Sequence, residues 1–441
     1  MEQRRKNLTQ LFIPICLETL LYMLSGMVDT LMLSSVNDQA VGAVGTANTY
    51  IGIFIIMFSV ISSGMVAVMT QNIGADRPGV AYQARQLGLA FNAVLGVIMS
   101  LFLSLGAGII LSGVGVADAL MQPGKTYLQI VGGFCILNAL IPICSSYLRA
   151  FGFSKEPLYA SIIGNVINFC LNAFFLFVLH KGVAGVATAT VISRIINLVI
   201  VVLLGAVLVK AKQHPERESN RAVMGQIIRI GLPSACETAI YNVSMTLVIR
   251  FLNQMDAQGL NVTARSYTMQ ITNFSYCVGA ALAQANAIMT GWHIGAKEYD
   301  ACDRGTKKAA VIGVIVAVIL ETVFTLCSGW IMQLFSKDPQ MVSLVGKLLA
   351  IDIVLEIGRV TNLVYGQALK TSGDAVFPVV MGACFMILCS VGGTYLFGIR
   401  LGLLAVGAYI GMTGDECVRA VGMYLRWKSG KWKEKGLVKS W

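Results

Sequence analysis

Long apolar stretches alternate with short polar or glycine-rich loops along the whole 441-residue chain. They cover about residues 11–35, 40–70, 87–112, 126–148, 158–179 and 183–209, and six more follow from about 227 to 426. Each suits an α-helix of roughly twenty or more residues that crosses the ~30 Å apolar core of a bilayer, and each is too long for a barrel strand. The pattern predicts an all-α, polytopic membrane protein with 12 transmembrane helices.

The composition agrees with this pattern, because 56% of the residues are hydrophobic and only 12% are charged. A soluble domain carries about a quarter charged residues, so an ordinary water-soluble fold is excluded. The eleven cysteines are scattered without a paired spacing, and the three histidines, His180, His214 and His293, are far apart. We therefore expect no disulfide framework, no metal-enzyme site and no cofactor, and a protein that is not an enzyme.

The basic residues are distributed unevenly, which decides the meaning of the net charge of +11. With the N-terminus inside, the inner segments hold 23 of the Lys and Arg residues, beginning with Arg4 and Arg5, whereas the outer loops hold four. This is the positive-inside bias of a membrane protein and not the signature of a nucleic-acid binder. We expect a lipid bilayer as partner, no nucleic acid, both termini in the cytoplasm, and a location in the cell membrane, specifically a bacterial inner membrane.

The two halves of the chain repeat. The residues Pro14, Glu18, Thr19 and Tyr22 recur 219 positions later as Pro233, Glu237, Thr238 and Tyr241, while Gly152 and Pro157 recur 221 positions later as Gly373 and Pro378. Six helices per repeat return the chain to its starting side, so two like-oriented six-helix bundles around a central cleft are expected. The predicted division is an N-lobe at 1–209, a cytoplasmic linker at 210–222, a C-lobe at 223–427 and a basic cytoplasmic tail at 428–441.

Acidic side chains lie within the predicted helices, where an ionisable group near the helix centre costs about 2.5 to 3.5 kcal/mol. They are Glu18, Asp29, Glu237, Glu321, Asp352, Glu356, Asp415 and Glu416. Each either neutralises a nearby cation, as Asp415 does if it pairs with Arg419 four residues later, or lines a wet cavity. For Glu321 both interpretations are equally open.

Helical spacing groups these residues by face. Glu18 and Asp29 point within about 20° of each other, and Tyr22 joins their stripe, so the first helix offers a polar track. A second stripe, on the tenth helix, consists of Asp352, Glu356 and Arg359. In that stripe Glu356 can pair with Arg359, which leaves Asp352 as the freer carboxylate.

Amide and aromatic side chains mark further candidate positions. Asn168 and Asn172 share a face of the fifth helix, where amides either bind neighbouring helices or line a cavity. Aromatic faces attract cations, so a pocket for organic cations is predicted to be lined by Tyr22, Tyr241, Gln270, Asn273 and Gln284. The same residue types occur at least as often in plain packing.

Several motifs, in their order and spacing, resemble those of the multidrug and toxin extrusion (MATE) family. In the first half they are Pro14 with Glu18, VDTLMLSSVNDQAVGAVGTA from Val28, TQNIGADR, and LRAFGFSKEP ahead of ASIIGNVINFCLN. In the second half the match is LEIGRVTNLVYGQALKTSGDAVFP from Leu355. With the six-plus-six repeat, the resemblance covers nearly the whole chain.

The resemblance implies a secondary active antiporter, functional as a monomer, that exports organic and mostly cationic compounds in exchange for H⁺ or Na⁺ by alternating access. Asp29 matches the family's first-helix aspartate, Glu237 approximates a seventh-helix acid, and Glu356, followed by Asp352, best matches the tenth-helix acid. A Na⁺ site is therefore expected at Glu237, Glu356 and Asp352. Some relatives carry an aspartate at the position of Asn172. The amide found here favours Na⁺ as the coupling ion, or a coupling site in the second lobe.

Two other function classes stay open at the level of sequence. A flippase for lipid-linked precursors, as in a broader superfamily with similar repeats, needs a net cationic cavity, and Arg194 and Arg359 are the deep arginines. A receptor or scaffold without transport activity needs a ligand domain, for which the loops are too short. Extrusion of a fluorescent cation from membrane vesicles separates these alternatives.

Overall fold

The computed structural model describes residues 6–34, 38–113, 118–210, 215–256, 259–333 and 335–438. Some predicted features lie outside these residues: Arg4, Arg5 and His214, residues 211–214 of the predicted linker and residues 439–441 of the predicted tail. The chain divides into two compact units, Met1–Gly231 and Leu232–Trp441. No strand occurs in the part of the chain that the structure describes, so the predicted all-α class is confirmed.

The described part of the first unit begins with eight α-helices. They are α1 (Leu8–Ser34), α2 (Asp38–Gly74), α3 (Pro78–Leu105), α4 (Ala107–Gly113), α5 (Asp118–Tyr127), α6 (Ile136–Ala150), α7 (Lys155–Ala173) and α8 (Gly182–Leu208). Two π-helical stretches, Leu128–Gly132 and Phe174–Val178, follow α5 and α7. Pro78 opens α3, where its missing N–H is not needed by the helix. A cluster of buried side chains around Leu103, Leu128 and Val131 forms a core in this unit.

The second unit contains most of α9 and all later helices. They are α9 (Asn220–Met255), α10 (Leu260–Gly295), α11 (Tyr299–Leu326), α12 (Ser328–Met332), α13 (Pro339–Ser372), α14 (Val376–Phe385) and α15 (Leu404–Lys428). π-helical stretches at Met386–Val391 and Thr394–Arg400 extend α14. At the start of α13, Pro339 occupies the first position and the Asp338 side chain accepts a 3.0 Å hydrogen bond from the Gln340 amide.

Membrane spans are recognisable by length and composition. Among the residues that the structure describes, seven helical segments qualify: Leu8–Ser34, Ala40–Gly74, Pro78–Leu105, Lys155–Val178, Gly182–Leu208, Tyr299–Leu326 and Val376–Arg400. A pair bent by 42°, Leu120–Gly132 with Ile136–Ala150, makes an eighth candidate. The remaining long helices, α9, α10, α13 and α15, are more polar and carry most of the predicted site. When α5 and α6 are taken as one bent segment and the short α4 and α12 are left out, the described residues form twelve long segments: α1, α2, α3, α5–α6, α7, α8, α9, α10, α11, α13, α14 and α15. This agrees with the prediction of a polytopic membrane protein.

The internal repeat is visible in the backbone. Both ends of α3, Pro78–Leu105, recur at an offset of 221 in α11, Tyr299–Leu326. Gly152 and Gly373, related by the same offset, both have positive φ angles, of 85° and 99°. The repeat therefore extends to the ends of α3 and α11 and to the turns at Gly152 and Gly373.

Glycines bring the helices of the second unit close together. A Cβ atom added to Gly313 of α11 would lie 2.7 Å from Leu282 of α10 and 2.7 Å from Val360 of α13. At Gly358 of α13 it would lie 2.8 Å from the backbone nitrogen of Cys417 in α15. Small residues allow membrane helices to approach closely, so polar groups on these four helices can meet.

The tail after α15 folds back on its own unit. The indole of Trp432 stacks on that of Trp427, with ring centroids 4.2 Å apart, and donates a 2.9 Å hydrogen bond to the Trp427 carbonyl. The Trp427 indole donates to Asp303 of α11 at 2.9 Å. The basic tail is thus anchored by aromatic packing, while Lys431 and Lys433 are exposed.

Candidate functional site

Three acids meet where α11 packs against α13. Glu321 of α11 and Asp352 and Glu356 of α13 each place one carboxylate oxygen within 4.8 Å of the other two. Their residues are buried, with exposed fractions of 0%, 2% and 0%. Because Asp352 and Glu356 are four residues apart, they share one face of α13. We call these three residues the carboxylate cluster.

The carboxylate cluster has unused acceptor oxygens. Both Oε atoms of Glu321, Oδ2 of Asp352 and Oε2 of Glu356 have no hydrogen-bond partner among the described residues. A buried carboxylate without a donor or counter-ion costs several kcal/mol. Such a group lowers this cost by binding a proton, a metal ion or an organic cation.

Two arginines contact the acids around the carboxylate cluster. Arg359 forms an ion pair with Glu356, and its Nε lies 3.7 Å from Oε1 of Glu416 on α15. Arg419 contacts Asp415 at 2.8 Å and Glu416 at 2.9 Å. The pairs Glu356–Arg359 and Asp415–Arg419 are those that the helical spacing allowed. Glu321 and Asp352 form no ion pair within the described parts of the chain.

Glu237 of α9 lies outside the carboxylate cluster. Its Oε2 atom is 2.5 Å from the ammonium nitrogen of Lys370, near the end of α13. The family resemblance led us to expect Glu237, Glu356 and Asp352 in one Na⁺ site. In the structure Lys370 neutralises Glu237, and Glu321 takes the third position beside the other two acids.

A second polar cluster lies in the first unit. The Nδ2 atom of Asn172 donates to Oδ1 of Asp29 at 2.6 Å and to Oδ1 of Asn168 at 3.3 Å. Asn168 and Asn172 are buried, whereas Asp29 is partly exposed. The structure therefore brings together three predicted site residues from α1 and α7.

Glu18 is separate from Asp29, although both lie on α1. Its Oε2 atom is 2.5 Å from the guanidinium of Arg149, at the end of α6. The predicted polar track thus has an ion pair at Glu18 and an amide-bound carboxylate at Asp29. Tyr22, between them in sequence, is 64% exposed.

The other predicted lining residues occupy varied environments. Gln270 and Asn273 of α10 are exposed, whereas Gln284 of the same helix and Tyr241 of α9 are half-buried. Their role in binding organic cations stays a prediction.

Sequence reasoning missed three partners and left Glu321 undecided. The missed residues are Arg149, Lys370 and Ser275 of α10, a buried serine that lies beside Glu321. A signal for two of them exists, because Arg149 and Lys370 are related by the same offset of 221 as Gly152 and Gly373. No local pattern marks Ser275.

Comparison with known proteins places this architecture in one family. The family model MatE matches residues 14–174 and 233–396, which is most of both repeats. The uncharacterized transporter YisQ of Bacillus subtilis (strain 168) is 33% identical over 431 residues, covering 96% of this chain and 94% of YisQ. A probable multidrug resistance protein, NorM of Thermotoga maritima, is 23% identical over 98% of this chain and 94% of its own length.

Solved structures share the fold. A crystal structure of MATE in the straight conformation has a TM-score of 0.87 at 19% identity, with 97% of this chain and 96% of that chain covered. An outward-facing MATE family transporter of the MOP superfamily has a TM-score of 0.86 at 18% identity, with 98% of this chain and 96% of that chain covered. The molecule is therefore a multi-pass membrane transporter and not an enzyme. The chain belongs to the MatE family, as its sequence motifs predicted.

Proposed function

We propose that this transporter is a secondary active antiporter that exports organic, mostly cationic compounds and takes up H⁺ or Na⁺ in exchange by alternating access. The observation that carries the proposal is the buried carboxylate cluster, in which four oxygen atoms have no hydrogen-bond partner among the described residues. A carboxylate in a low-dielectric interior binds either a coupling cation or a substrate cation. Competition for one negative charge then links the two fluxes.

The charge balance among the buried acids around the carboxylate cluster and the arginines that pair with them supports cationic ligands. Glu321, Asp352, Glu356, Asp415 and Glu416 are all buried, and the arginines that pair with them in the described structure are Arg359 and Arg419. This group of residues carries a negative excess. An anionic lipid headgroup requires the opposite sign, so the flippase alternative gains no support here.

The repeat provides a second argument for function. At the repeat offset of 219, the counterpart of Asp29 is Val248, which is fully buried in the second unit. The same place in the helical framework therefore tolerates an apolar residue, and the fold does not require a carboxylate there. We assign Asp29, with Asn168 and Asn172, to cation or substrate binding in the first unit.

The location of the transporter and its orientation in the membrane are inferred from its spans and its charge distribution. The positive-inside bias supports a cell-membrane protein with both termini in the cytoplasm. We propose in addition that it acts as a monomer, as the family resemblance implies. One elementary charge that moves down a 100 mV potential supplies about 2.3 kcal/mol. This energy suffices to concentrate an electroneutral solute several tens-fold.

The decisive experiment uses the purified full-length chain in proteoliposomes loaded with ethidium. A Na⁺ gradient and a pH gradient are imposed in separate samples, and dye movement is followed by fluorescence. We expect at least one gradient to drive movement, and Asp352→Asn and Glu356→Gln to slow it about tenfold or more. Glu434→Gln, in the exposed part of the tail, is the matched control and keeps the wild-type rate.

Two results would contradict the proposal. One is ethidium movement that equals that of protein-free liposomes under both gradients. The other is gradient-driven movement that is unchanged in both variants, when size-exclusion chromatography shows each to be monodisperse. The second result would leave a transporter whose coupling does not use these acids.

A further inference from the structure

An exposed stripe on α11 changes from apolar to cationic near the start of the helix. Val311, Ile315 and Ile319 are 59%, 53% and 57% exposed, and helical spacing puts them on one face. An exposed stripe that is apolar along several turns of a membrane span contacts acyl chains. Arg304 and Lys308, which are both exposed, continue this face toward the start of α11. Two cations therefore lie directly in line with a lipid-facing surface.

The change in character falls at one end of the apolar core of the bilayer. Residues 309–326 of α11 contain no Lys or Arg and are about 27 Å long as a helix, close to the ~30 Å thickness of that core. Arg304 and Lys308 thus lie at the level of the phospholipid headgroups. The long apolar stem of each side chain can pack along the span while its charged group reaches the headgroup region.

The end of α15 shows the same change. Val421 and Leu425 are exposed apolar residues, and the exposed Lys428 follows them on the same face of the helix. Because Lys428 is the last residue of α15, this stripe also ends in a cation at the edge of the span.

A hydrogen bond joins the ends of the two stripes. The Trp427 indole of α15 donates to Oδ1 of Asp303 in α11 at 2.9 Å, and the next residues along the chain are Lys428 and Arg304. Oδ2 of Asp303 accepts from the ammonium group of Lys307 at 2.7 Å. Asp303 is thus already bound through both oxygens, and the cations of α11 and α15 lie in one neighbourhood.

The folded tail adds positive charge to this neighbourhood. Stacking of Trp432 on Trp427 holds the turn Lys431–Glu434 beside the end of α15. Lys431 and Lys433 in this turn are exposed. Glu434 is the single acid in the sequence after α15, so the tail has a clear excess of positive charge.

The repeat shows that the cations on α11 are not needed for folding. At the repeat offset of 221, the counterparts of Arg304 and Lys308 are Gln83 and Leu87 of α3. Both counterparts are uncharged, although α3 and α11 correspond at both ends. The second repeat therefore carries two headgroup-level cations where its copy carries none.

We propose that Arg304, Lys308, Lys428 and Lys431 bind the phosphate headgroup of an anionic phospholipid, whose acyl chains lie along the apolar stripes of α11 and α15. With the proposed orientation, this lipid belongs to the cytoplasmic leaflet. Each Lys or Arg close to an anionic bilayer surface strengthens the attraction about fivefold. A lipid fits this place better than a soluble phosphate does, because the cations and the acyl-facing stripes form one continuous surface.

Lipid binding can be measured without reference to drug export. The full-length protein in detergent is titrated with dioleoylphosphatidylglycerol or dioleoylphosphatidylcholine, and native mass spectrometry counts the bound lipids. We expect the first phosphatidylglycerol to bind about tenfold or more tightly than phosphatidylcholine. Its affinity should fall about fivefold in Lys308→Gln or Lys431→Gln, and about twenty-five-fold in Lys308→Gln/Lys428→Gln. Lys347→Gln is the matched control, because this exposed lysine lies near the start of α13, at the opposite end of the spans.

The outcomes separate a lipid site from a site for soluble anions. A preference for phosphatidylglycerol that weakens in the site variants and persists in Lys347→Gln supports the inference. Equal affinity for the two lipids, or wild-type affinity in the double variant and in Lys431→Gln, overturns it. Displacement of the lipid by millimolar inorganic phosphate also overturns it and indicates a soluble anion instead. None of these results bears on ethidium export, so this inference and the antiport proposal stand or fall separately.

Discussion

The carboxylate of Glu237 on α9 lies 2.5 Å from the ammonium group of Lys370 on α13. The first unit contains the repeat of this pair, in which Glu18 lies 2.5 Å from the guanidinium of Arg149. The two acids are related by the repeat offset of 219 and the two bases by that of 221. An equivalent ion pair thus joins the first and fourth long segments of each repeat, which indicates a structural or conformational role distinct from that of Glu321 and Asp352, which form no ion pair among the described residues.

Removal of Lys370 is expected to destabilise the second unit. Lys370→Gln leaves the mostly buried carboxylate of Glu237 without its counter-ion. Loss of one partner of a buried ion pair lowers the free energy of unfolding by about 3 kcal/mol. The double variant Glu237→Gln/Lys370→Gln should recover part of this loss, because no lone charge remains. Unfolding by SDS in mixed micelles measures the free energy of unfolding of the wild type, of each single variant and of the double variant, which together form a double-mutant cycle. Strict additivity of the two single changes would show that the pair makes no net contribution.

Asp29 is expected to be needed for transport but not for folding. Asp29→Asn keeps the size of the side chain and a polar oxygen for Asn172, while it removes the charge. Gradient-driven ethidium movement in proteoliposomes should slow about tenfold or more, with an unchanged elution volume on size exclusion. The control Glu218→Gln alters a partly exposed ion pair with Arg77 and should transport like the wild type. Wild-type rates in Asp29→Asn would remove Asp29 from the mechanism.

At Gly373 the tail leaves no room for a side chain. Its φ angle is 99°, and an added Cβ atom would overlap the carbonyl oxygen of Lys435. Gly373→Ala therefore costs about 1 to 2 kcal/mol in backbone strain and more in displacement of the tail. Gly305→Ala on α11 is the matched control, because nothing lies within 4 Å of its added Cβ atom and alanine favours helix. Thermal unfolding in detergent should rank Gly373→Ala below the wild type and Gly305→Ala at or above it.

The helices and the repeat could be predicted from the sequence, because neither depends on how the helices pack against one another. The length of an apolar stretch indicates whether it can span the membrane, and a spacing of four residues places Asp352 and Glu356 on one face of α13. Recurrence of Glu18 as Glu237 identifies equivalent positions whatever their surroundings. These features depend on residues close in sequence, or on a comparison of the chain with itself.

Contacts between helices could not be predicted in the same way. Glu321 joins the carboxylate cluster because α11 packs against α13 at Gly313, and nothing near Glu321 in sequence specifies that neighbour. Glu237 was grouped with the tenth-helix acids on resemblance, whereas its distance to Lys370 decides its partner. Helical spacing determines which residues share a face, but interhelical packing determines what that face meets.

Asp256 provides a pH-dependent contribution to stability in the loop before α10. Its Oδ1 accepts a hydrogen bond from the Leu260 amide at 2.8 Å, and its Oδ2 accepts one from the Asn261 amide at 3.0 Å. Slight burial raises the pKa of Asp256, but the hydrogen bonds from Asn261 and Leu260 outweigh it and hold the pKa below its ordinary value. The ionised carboxylate therefore favours the folded state, and this contribution is full above the unfolded pKa and is lost as pH falls through the folded one.

Replacement of Asp256 should lower stability only where its carboxylate is ionised. At neutral pH Asp256→Ala leaves the first amides of α10 without their acceptor, which costs about 1 kcal/mol. As the pH falls below the ordinary range of an aspartate, the wild-type side chain becomes protonated, so the difference in melting temperature between the two proteins should shrink. Thermal unfolding in detergent at a series of pH values measures this convergence, with Asp300→Asn as a control whose offset from the wild type stays small throughout. A difference that stays constant or grows toward acid would mean that Asp256 stabilises α10 by packing and not by its charge.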